Sequence, residues 1–387
     1  MRYVVARHCY GGIGDHLSCL VGVWWLAKRT NRTLVVDWRG SRFNPDPSME
    51  SNCFFSYFSA RHNIGGVEVI ADNSVGALNY PMPVWPTKWT PSALASPSHL
   101  HHDLAEIAQA NKLITSGTDP LEPTIVLNQW LDPPPPREAV QIFLQDLTPV
   151  EPIADGAQQF WDAHIGKAPA IAIHIRHGNG ENLGSRAAYW LGPVALIKQL
   201  TINARNDVYN RGVSGKFSDN MPRSLIGGRG QAKYERRFCR TVAEAFRGLA
   251  IPNAVPILFS DAGHIVEIMR EFLPTIVAKP KREVKRGEGP LHQINAASVR
   301  QDSNGIRGGT ISDDIVFDMF VELELMRRCS GLVFMDSGFS LLARTSLDEN
   351  RLVRLKPTLI NRLISRMVER MSNSYSQIGR PLSSFGS

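Results

Sequence analysis

The chain has 387 residues, 43% hydrophobic and 20% charged, a globular composition long enough for two domains that each bury a core. No apolar run approaches the ~18–20 residues of a membrane span, which sets aside a transmembrane segment. The formal charge is +7 and unevenly spread: nine Lys or Arg against Asp207, Asp219 and Glu235 put a net +6 between Ala204 and Arg240.

In chain order, "RYVVA" reads as a first strand rather than the start of a signal peptide, because its apolar run is short and leads into glycines. "GGIGD" follows, then a helix in "HLSCLVGVWWLAKRT", where Leu17, Leu20, Val21, Trp24 and Trp25 fall near helical spacing. Lys28 and Arg29 close that helix with positive charge. "RTLVVDW" is a second strand ending at Asp37, so the start of the chain is a β-loop-α-β unit and implies a parallel sheet. Residues 44–136 are rich in Pro and Ser and give no clear period. "DPPPPR" is a stiff connector to the helical "EAVQIFLQDL". A second series opens at "APAIAIHIR" and continues with helix "RTVAEAFRGLA", strand "VPILFSDA", helix "HIVEIMREFL", strand "TIVAK", helix "DIVFDMFVELELMRRC" and strand "GLVFMDSG". The basic stretch Ala204–Arg240, rich in Gly, Asn and Ser, reads as a surface insertion. Its few aromatics speak against nucleic acid as a partner. The expected fold class is α/β in two tandem domains, with a Ser-rich, disordered tail from Ser372. Five cysteines with no Cys-x-x-Cys pair suit free thiols in a reducing cytoplasm.

Chemistry concentrates where strands end. Alternation in "IAIHIR" puts Ile171, Ile173 and Ile175 on one face and Ala172, His174 and Arg176 on the other. The polar pair arrives at the carboxyl end, the edge where open α/β sheets bind ligands. "HGNGE" then adds His177, Asn179 and Glu181 in a glycine-rich turn. "LFSDA" ends in Ser260 and Asp261, and "VFMDSGFSLLAR" in Asp336 and Ser337, followed by Phe339, Ser340 and Arg344. Together these fit a phosphate-bearing ligand. The plainer alternatives are a surface ion pair for Arg176 with Glu181, and helix capping for Ser337 and Ser340.

"HIRHGNGE" followed by Tyr189 and Trp190, "GPLH" at Gly289–His292 and "DSGFSLLAR" resemble the family of the rhizobial nodulation fucosyltransferase NodZ, which belongs with the α1,6-fucosyltransferases. The first 41 residues are similar to that family's first βαβ unit, residues 171–190 and 286–345 also match strongly, and the likeness fails over Ala204–Arg240. The resemblance implies a GT-B enzyme, with two Rossmann-like domains facing across a cleft. Residues 1–155 would form the acceptor-side domain, residues 156–345 the GDP-fucose-binding domain with its insertion at 204–240, and residues 346–387 a helix and tail. Such an enzyme transfers L-fucose from GDP-fucose to an N-acetylglucosamine-containing oligosaccharide, chitooligosaccharide or Nod-factor-like, with inversion and without metal or other cofactor. By the same resemblance His174 lies on the guanine or ribose side and Arg176 pairs with the pyrophosphate. The loop at Gly11, Gly12 and Gly14 underlies the phosphates, and Ser337 and Ser340 donate to phosphate. His177, Asn179, Phe339 and Arg344 complete the nucleotide-sugar set. The guanine-reading carboxylate, counted back from Cys329, falls on Glu322, with Asp318 one turn earlier on the same face.

The chain has no Asp-x-Asp metal clamp, so a leaving GDP needs protein cations, and guanidinium suits that role. Glu181 is the carboxylate nearest the Arg176 turn and the candidate general base. His99, His101 and His102 lack the accompanying ligands of a metal site. Trp85, Trp89 and Trp130 are open to two readings, an acceptor platform or packing under loops. Two rival functions remain. One is a dinucleotide oxidoreductase using "GGIGD" and Asp37, against which Leu17 replaces the third glycine of the fingerprint. The other is a non-catalytic sugar- or nucleotide-binding homologue.

Overall fold

In the computed structural model the described residues are 1–7, 12–41, 43–46, 48–59, 62–97, 100, 102–116, 118–128, 136–176, 196–197, 229–280, 300–301, 307–308, 313–335, 337–357 and 359–364. The first half is built from β1 (Tyr3–Arg7), α1 (Ile13–Thr30), β2 (Thr33–Asp37), β3 (Asn63–Ile64), β4 (Val67–Ile70), β5 (Val84–Trp85), α2 (Pro91–Ala95), α3 (Leu104–Ser116), β6 (Thr124–Leu127) and α4 (Arg137–Asp146). Its sheet runs β3-β4-β2-β1-β6-β5, parallel throughout except for β3 against β4. β1 and β2 are buried along their whole length, which is why they read as continuous apolar runs.

The second half comprises α5 (Glu151–His164), β7 (Ala170–Ile175), α6 (Arg229–Gly248), β8 (Val255–Ser260), α7 (Gly263–Arg270), the short antiparallel pair β9 (Arg300–Gln301) and β10 (Arg307–Gly308), α8 (Asp313–Arg328), β11 (Gly331–Phe334), α9 (Leu341–Ser346) and β12 (Leu352–Arg354). Its main sheet runs β12-β11-β7-β8, all parallel. Ile171, Ile173 and Ile175 face one core with Val242, Ala243 and Ile265, and Ala170 and Ala172 face another, as the alternation of β7 requires. That second core is continuous with the side chains under α1, so one apolar layer is shared by both sheets. The rings of Tyr57 and Phe320 stack across it, centroids 4.1 Å apart.

Several expectations are corrected. The basic stretch is not wholly a surface insertion: residues 229–240 are the first half of α6, with Glu235, Phe238 and Cys239 buried. Arg229, Lys233, Arg236, Arg237 and Arg240 recur at intervals of three and four, so the charge count conceals the polar stripe of an amphipathic helix. Residues 204–228 lie outside the described residues. "TIVAK" forms no strand; Val277 alone bridges to Ile257, at the open edge beside β8. The boundary at 155 falls inside α5, which packs on α8 of the second half. The boundary at 345 excludes β12, which extends the second sheet to Arg354. The tail from Ser372 lies outside the described residues.

The two sheets meet at their carboxyl edges through glycine. A Cβ on Gly14, in the first turn of α1, would stand 2.1 Å from the carbonyl carbon of Gly338, just beyond β11. Gly12 has no such neighbour; its closest would be its own cap partner Asp15 at 3.9 Å. Gly14→Ala should therefore lower stability by about 2 kcal/mol or more through forced overpacking, while Gly12→Ala stays within about 1 kcal/mol of the parent. Urea denaturation of both variants checks the contrast, and equal midpoints would show that the seam has room to yield.

Candidate functional site

β7 delivers His174 and Arg176 to the carboxyl edge of the second sheet. His174 is buried, its ring 5.4 Å from that of Phe339, and its carbonyl accepts from Met335 N–H at 3.2 Å. Arg176 Nη1 donates to Asp261 Oδ2 at 2.8 Å, with the Arg176 side chain 17% exposed. Asp261 follows β8, where Ser260 Oγ accepts from Ala262 N–H at 3.3 Å. Beyond β11, Ser337 caps a 3-10 turn over Gly338–Ser340 by accepting from Phe339 N–H at 3.2 Å. The hydroxyl of the buried Ser340 donates to Ser337 O at 3.2 Å. Gly338 lies against Gly14, where Gly12 N–H already donates to Asp15 Oδ2 at 2.7 Å. Contacts thus run unbroken from His174 through Phe339 and Gly338 to the amino end of α1.

The other candidates divide. α8 packs on the same 3-10 turn and carries Asp318, paired with Lys279, and the buried Glu322 one turn on. Arg344 sits over the Phe334 ring at 5.7 Å. It lines a separate cavity of 360 Å³ with Ser18, Arg137, Thr345 and Glu349, none of them from the strand-end group. Glu181, His177, Asn179 and Asp336 lie outside the described residues, as do Gly11, Tyr189, Trp190 and Gly289–His292. The pairing of Arg176 with Asp261 spans 85 positions and could not be read from spacing, although both residues stand out as polar strand ends. Lys279, after the isolated bridge at Val277, carries the same signal and was missed. So was His16, buried in the first turn of α1 with its Nε2 3.0 Å from Ser41 Oγ.

Asp37, the ribose acid of the oxidoreductase reading, is fully buried between Arg7 and Arg39. Arg39 Nε donates to Asp37 Oδ1 at 3.0 Å, and both guanidiniums also donate to backbone carbonyls of residues 94–96. A carboxylate so enclosed is unavailable to a ribose hydroxyl. Trp85 and Trp89 are buried, so they are packing residues rather than an acceptor platform, with Arg7 5.3 Å above the Trp89 ring. Trp130, His99 and His101 lie outside the described residues. His102 stacks on Trp85 and approaches Glu106 Oε2 at 3.3 Å. Among the described residues no cluster of three His, Cys, Asp or Glu is placed to hold a metal ion.

The model of the family described as nodulation protein Z (NodZ) matches residues 1–213, more than half of the chain. The chain belongs to the nodulation protein Z family. Nodulation protein Z of Bradyrhizobium diazoefficiens is 28% identical over 333 residues, 86% of this chain and 75% of that one. Its counterpart in Sinorhizobium fredii is 26% identical over 379 residues, 93% of this chain and 98% of the relative. Among solved structures, fucosyltransferase NodZ from Bradyrhizobium superposes with a TM-score of 0.57 at 21% identity, covering 89% of this chain and 92% of that one. A NodZ α-1,6-fucosyltransferase soaked with GDP-fucose superposes with a TM-score of 0.55, also at 21% identity and over 89% and 92% of the two chains. The NodZ-family fold here is GT-B, with two Rossmann-like parallel sheets turned edge to edge.

His102 generates a pH prediction. Burial, reinforced by Lys88, pushes its pKa down to about 4 from 6.5, so it is neutral in the folded chain. Between these values the unfolded chain binds the extra proton, so folding stability falls as the pH is lowered from 6.5 towards 4. His102→Gln should flatten that part of the profile. Chemical denaturation midpoints across the window check it, and an unchanged slope in the variant would contradict the assignment.

Proposed function

We propose that this chain is a fucosyltransferase that moves L-fucose from GDP-fucose to a hydroxyl of an N-acetylglucosamine-containing oligosaccharide, chitooligosaccharide or Nod-factor-like, in α1,6 linkage with inversion. One observation carries the reading: His174 and Arg176 end a buried strand beside the glycine seam, inside the part of the chain that matches the NodZ family. The acceptor oxygen forms a bond to fucose C1 while the bond from C1 to the β-phosphate oxygen breaks. The acceptor proton passes to a base, for which Glu181 is the candidate, and the electron pair leaves on GDP. Arg176, oriented by Asp261, meets the charge that grows on the pyrophosphate. His174 and Phe339 wall the nucleotide side. Because the Gly12 amide donates to Asp15, the Phe339 amide to Ser337 Oγ and the Ser340 hydroxyl to Ser337 O, the phosphate load falls chiefly on Arg176. Asp318, paired with Lys279, accepts from guanine, with Glu322 as the alternative acceptor. The lack of Asp-x-Asp supports a reaction in which protein cations, not a metal, neutralise the leaving group. Cys53, Cys239 and Cys329 are buried thiols outside any disulfide, and burial pushes the Cys239 thiol up to about 12, in keeping with the reducing cytoplasm of this reading.

Incubation with GDP-fucose and chitooligosaccharides in the presence of EDTA should add the mass of one fucose to the acceptor. GDP should raise the melting temperature more than UDP does. Binding of GDP with no transfer to any chitooligosaccharide would favour the non-catalytic homologue, and a strict manganese requirement would overturn the metal-free route. Arg176→Ala should fold and lose about 10²–10³ in kcat, and Arg176→Lys should be nearly as impaired because the planar fork is lost. Asp261→Asn, which frees Arg176 to reorient, should lose about tenfold. A folded Arg176→Ala enzyme with parental turnover would refute the role.

A further inference from the structure

Beside the glycine seam the fold leaves a cavity that the proposed reaction does not use. Its volume is 360 Å³, within the range of small-molecule sites. It opens between the two halves: α1 and α4 supply one side, α9 and β12 the other, and Ser18 stands one turn along α1 from Gly14. The apolar wall is wholly aliphatic, formed by Val21, Val140, Leu341 and Leu352. The polar wall is Ser18, Arg137, Arg344, Thr345 and Glu349. Two of these polar groups have nothing to bind. Thr30 and Thr345 donate to the carbonyls four residues back, at 2.7 and 2.8 Å, as helical hydroxyls commonly do. Ser18, buried in the same helix as Thr30, does not, and its hydroxyl has no hydrogen-bond partner among the described residues. The half-buried Arg137 guanidinium likewise has neither hydrogen bond nor ion pair among the described residues. Donors left unmade at an apolar wall are costly, and a ligand that accepts from both removes that cost.

We propose that this cavity binds a monocarboxylate with an aliphatic body. A carboxylate accepts from a guanidinium through two oxygens and from a hydroxyl through either, which supplies what Arg137 and Ser18 lack. Arg344, held over the Phe334 ring at 5.7 Å, brings a second cation from the other half. Glu349 sets the charge of the guest. Arg137 and Arg344 against Glu349 leave the lining at +1, matched to one negative charge. A diphosphate, or a second carboxylate on the same guest, meets repulsion from Glu349. The four aliphatic side chains take the body, because apolar surface buried against them leaves water. Occupancy also braces the seam. It adds an ionic tie between α4 and α9, which Gln141 Nε2 already joins by donating to Thr345 O at 3.1 Å.

Titration calorimetry of the full chain with octanoate tests this. One saturable site is expected. Acetate, which lacks the body, and octan-1-ol, which lacks the charge, should each bind at least about tenfold more weakly. Octanedioate should bind at least about tenfold more weakly as well, and Glu349→Gln, a change at an exposed residue, should recover most of that loss. Arg137→Gln should weaken octanoate about tenfold or more and leave the GDP-induced thermal shift at its parental value, which separates this site from the nucleotide group. Ser18→Leu, which fills the cavity from α1, should abolish octanoate binding. Octan-1-ol or octanedioate binding the parent as tightly as octanoate would overturn the proposal, as would parental octanoate affinity in Arg137→Gln or no saturable octanoate binding at all. Competitive displacement of octanoate by GDP would also overturn it, by assigning the cavity to the nucleotide.

Discussion

Gly14 and Gly338 touch backbone to backbone, and the arrangement of the two sheets rests on that contact. A side chain on Gly14 would push the amino end of α1 away from the loop after β11, and the carboxyl edges would part. With no Cβ there, α1 packs directly on the 3-10 turn, Phe339 reaches His174, and the apolar layer under α1 runs without a break into the second sheet. The Tyr57–Phe320 stack closes the same seam from the side. On the proposed reading the nucleotide group sits where the two edges meet, so this backbone contact and the proposed site share one address.

Strand-end arginines in the two sheets meet different fates, and burial decides between them. Arg7 ends β1 fully enclosed, sharing Asp37 with Arg39 and donating to the carbonyls of Leu94 and Ser96. Two cations around one carboxylate in an apolar interior are supported by backbone carbonyls that accept from their Nη donors, and breaking such a cluster costs several kcal/mol. Its role is to tie the loop around α2 to the first sheet. Arg176, just after the corresponding strand of the second sheet, pairs with Asp261 and keeps part of its surface open. The first sheet ties its strand-end charge into its own architecture, and the second leaves a guanidinium partly exposed, as the proposed phosphate role requires.

How much of this was legible follows from which signals are local. The alternation in "AIAIHI" located the strand, its faces and its polar end, because period two is set by backbone geometry alone. The leading βαβ unit was legible for the same reason. Residues 44–136 hid β3 to β6 because strands of two to four residues are too short to show a period, and their register comes from neighbours far along the chain. The basic stretch misled because summed charge ignores phase: Phe238 and Cys239 are flanked by arginines in sequence but lie on the opposite side of one helix. Arg176 was visible as a residue and Asp261 as another; that they form one unit is a property of adjacent parallel strands.

On the proposed reading, nucleotide is gripped where the two carboxyl edges meet. Hydrogen–deuterium exchange on the full chain, with and without GDP, checks this. GDP should slow exchange in peptides from the end of β7 and from the 3-10 turn after β11, together with the first turn of α1, which shares the seam. Protection at the cavity beside Arg344, or at the Arg7–Asp37 cluster, with no change at the end of β7 would contradict it.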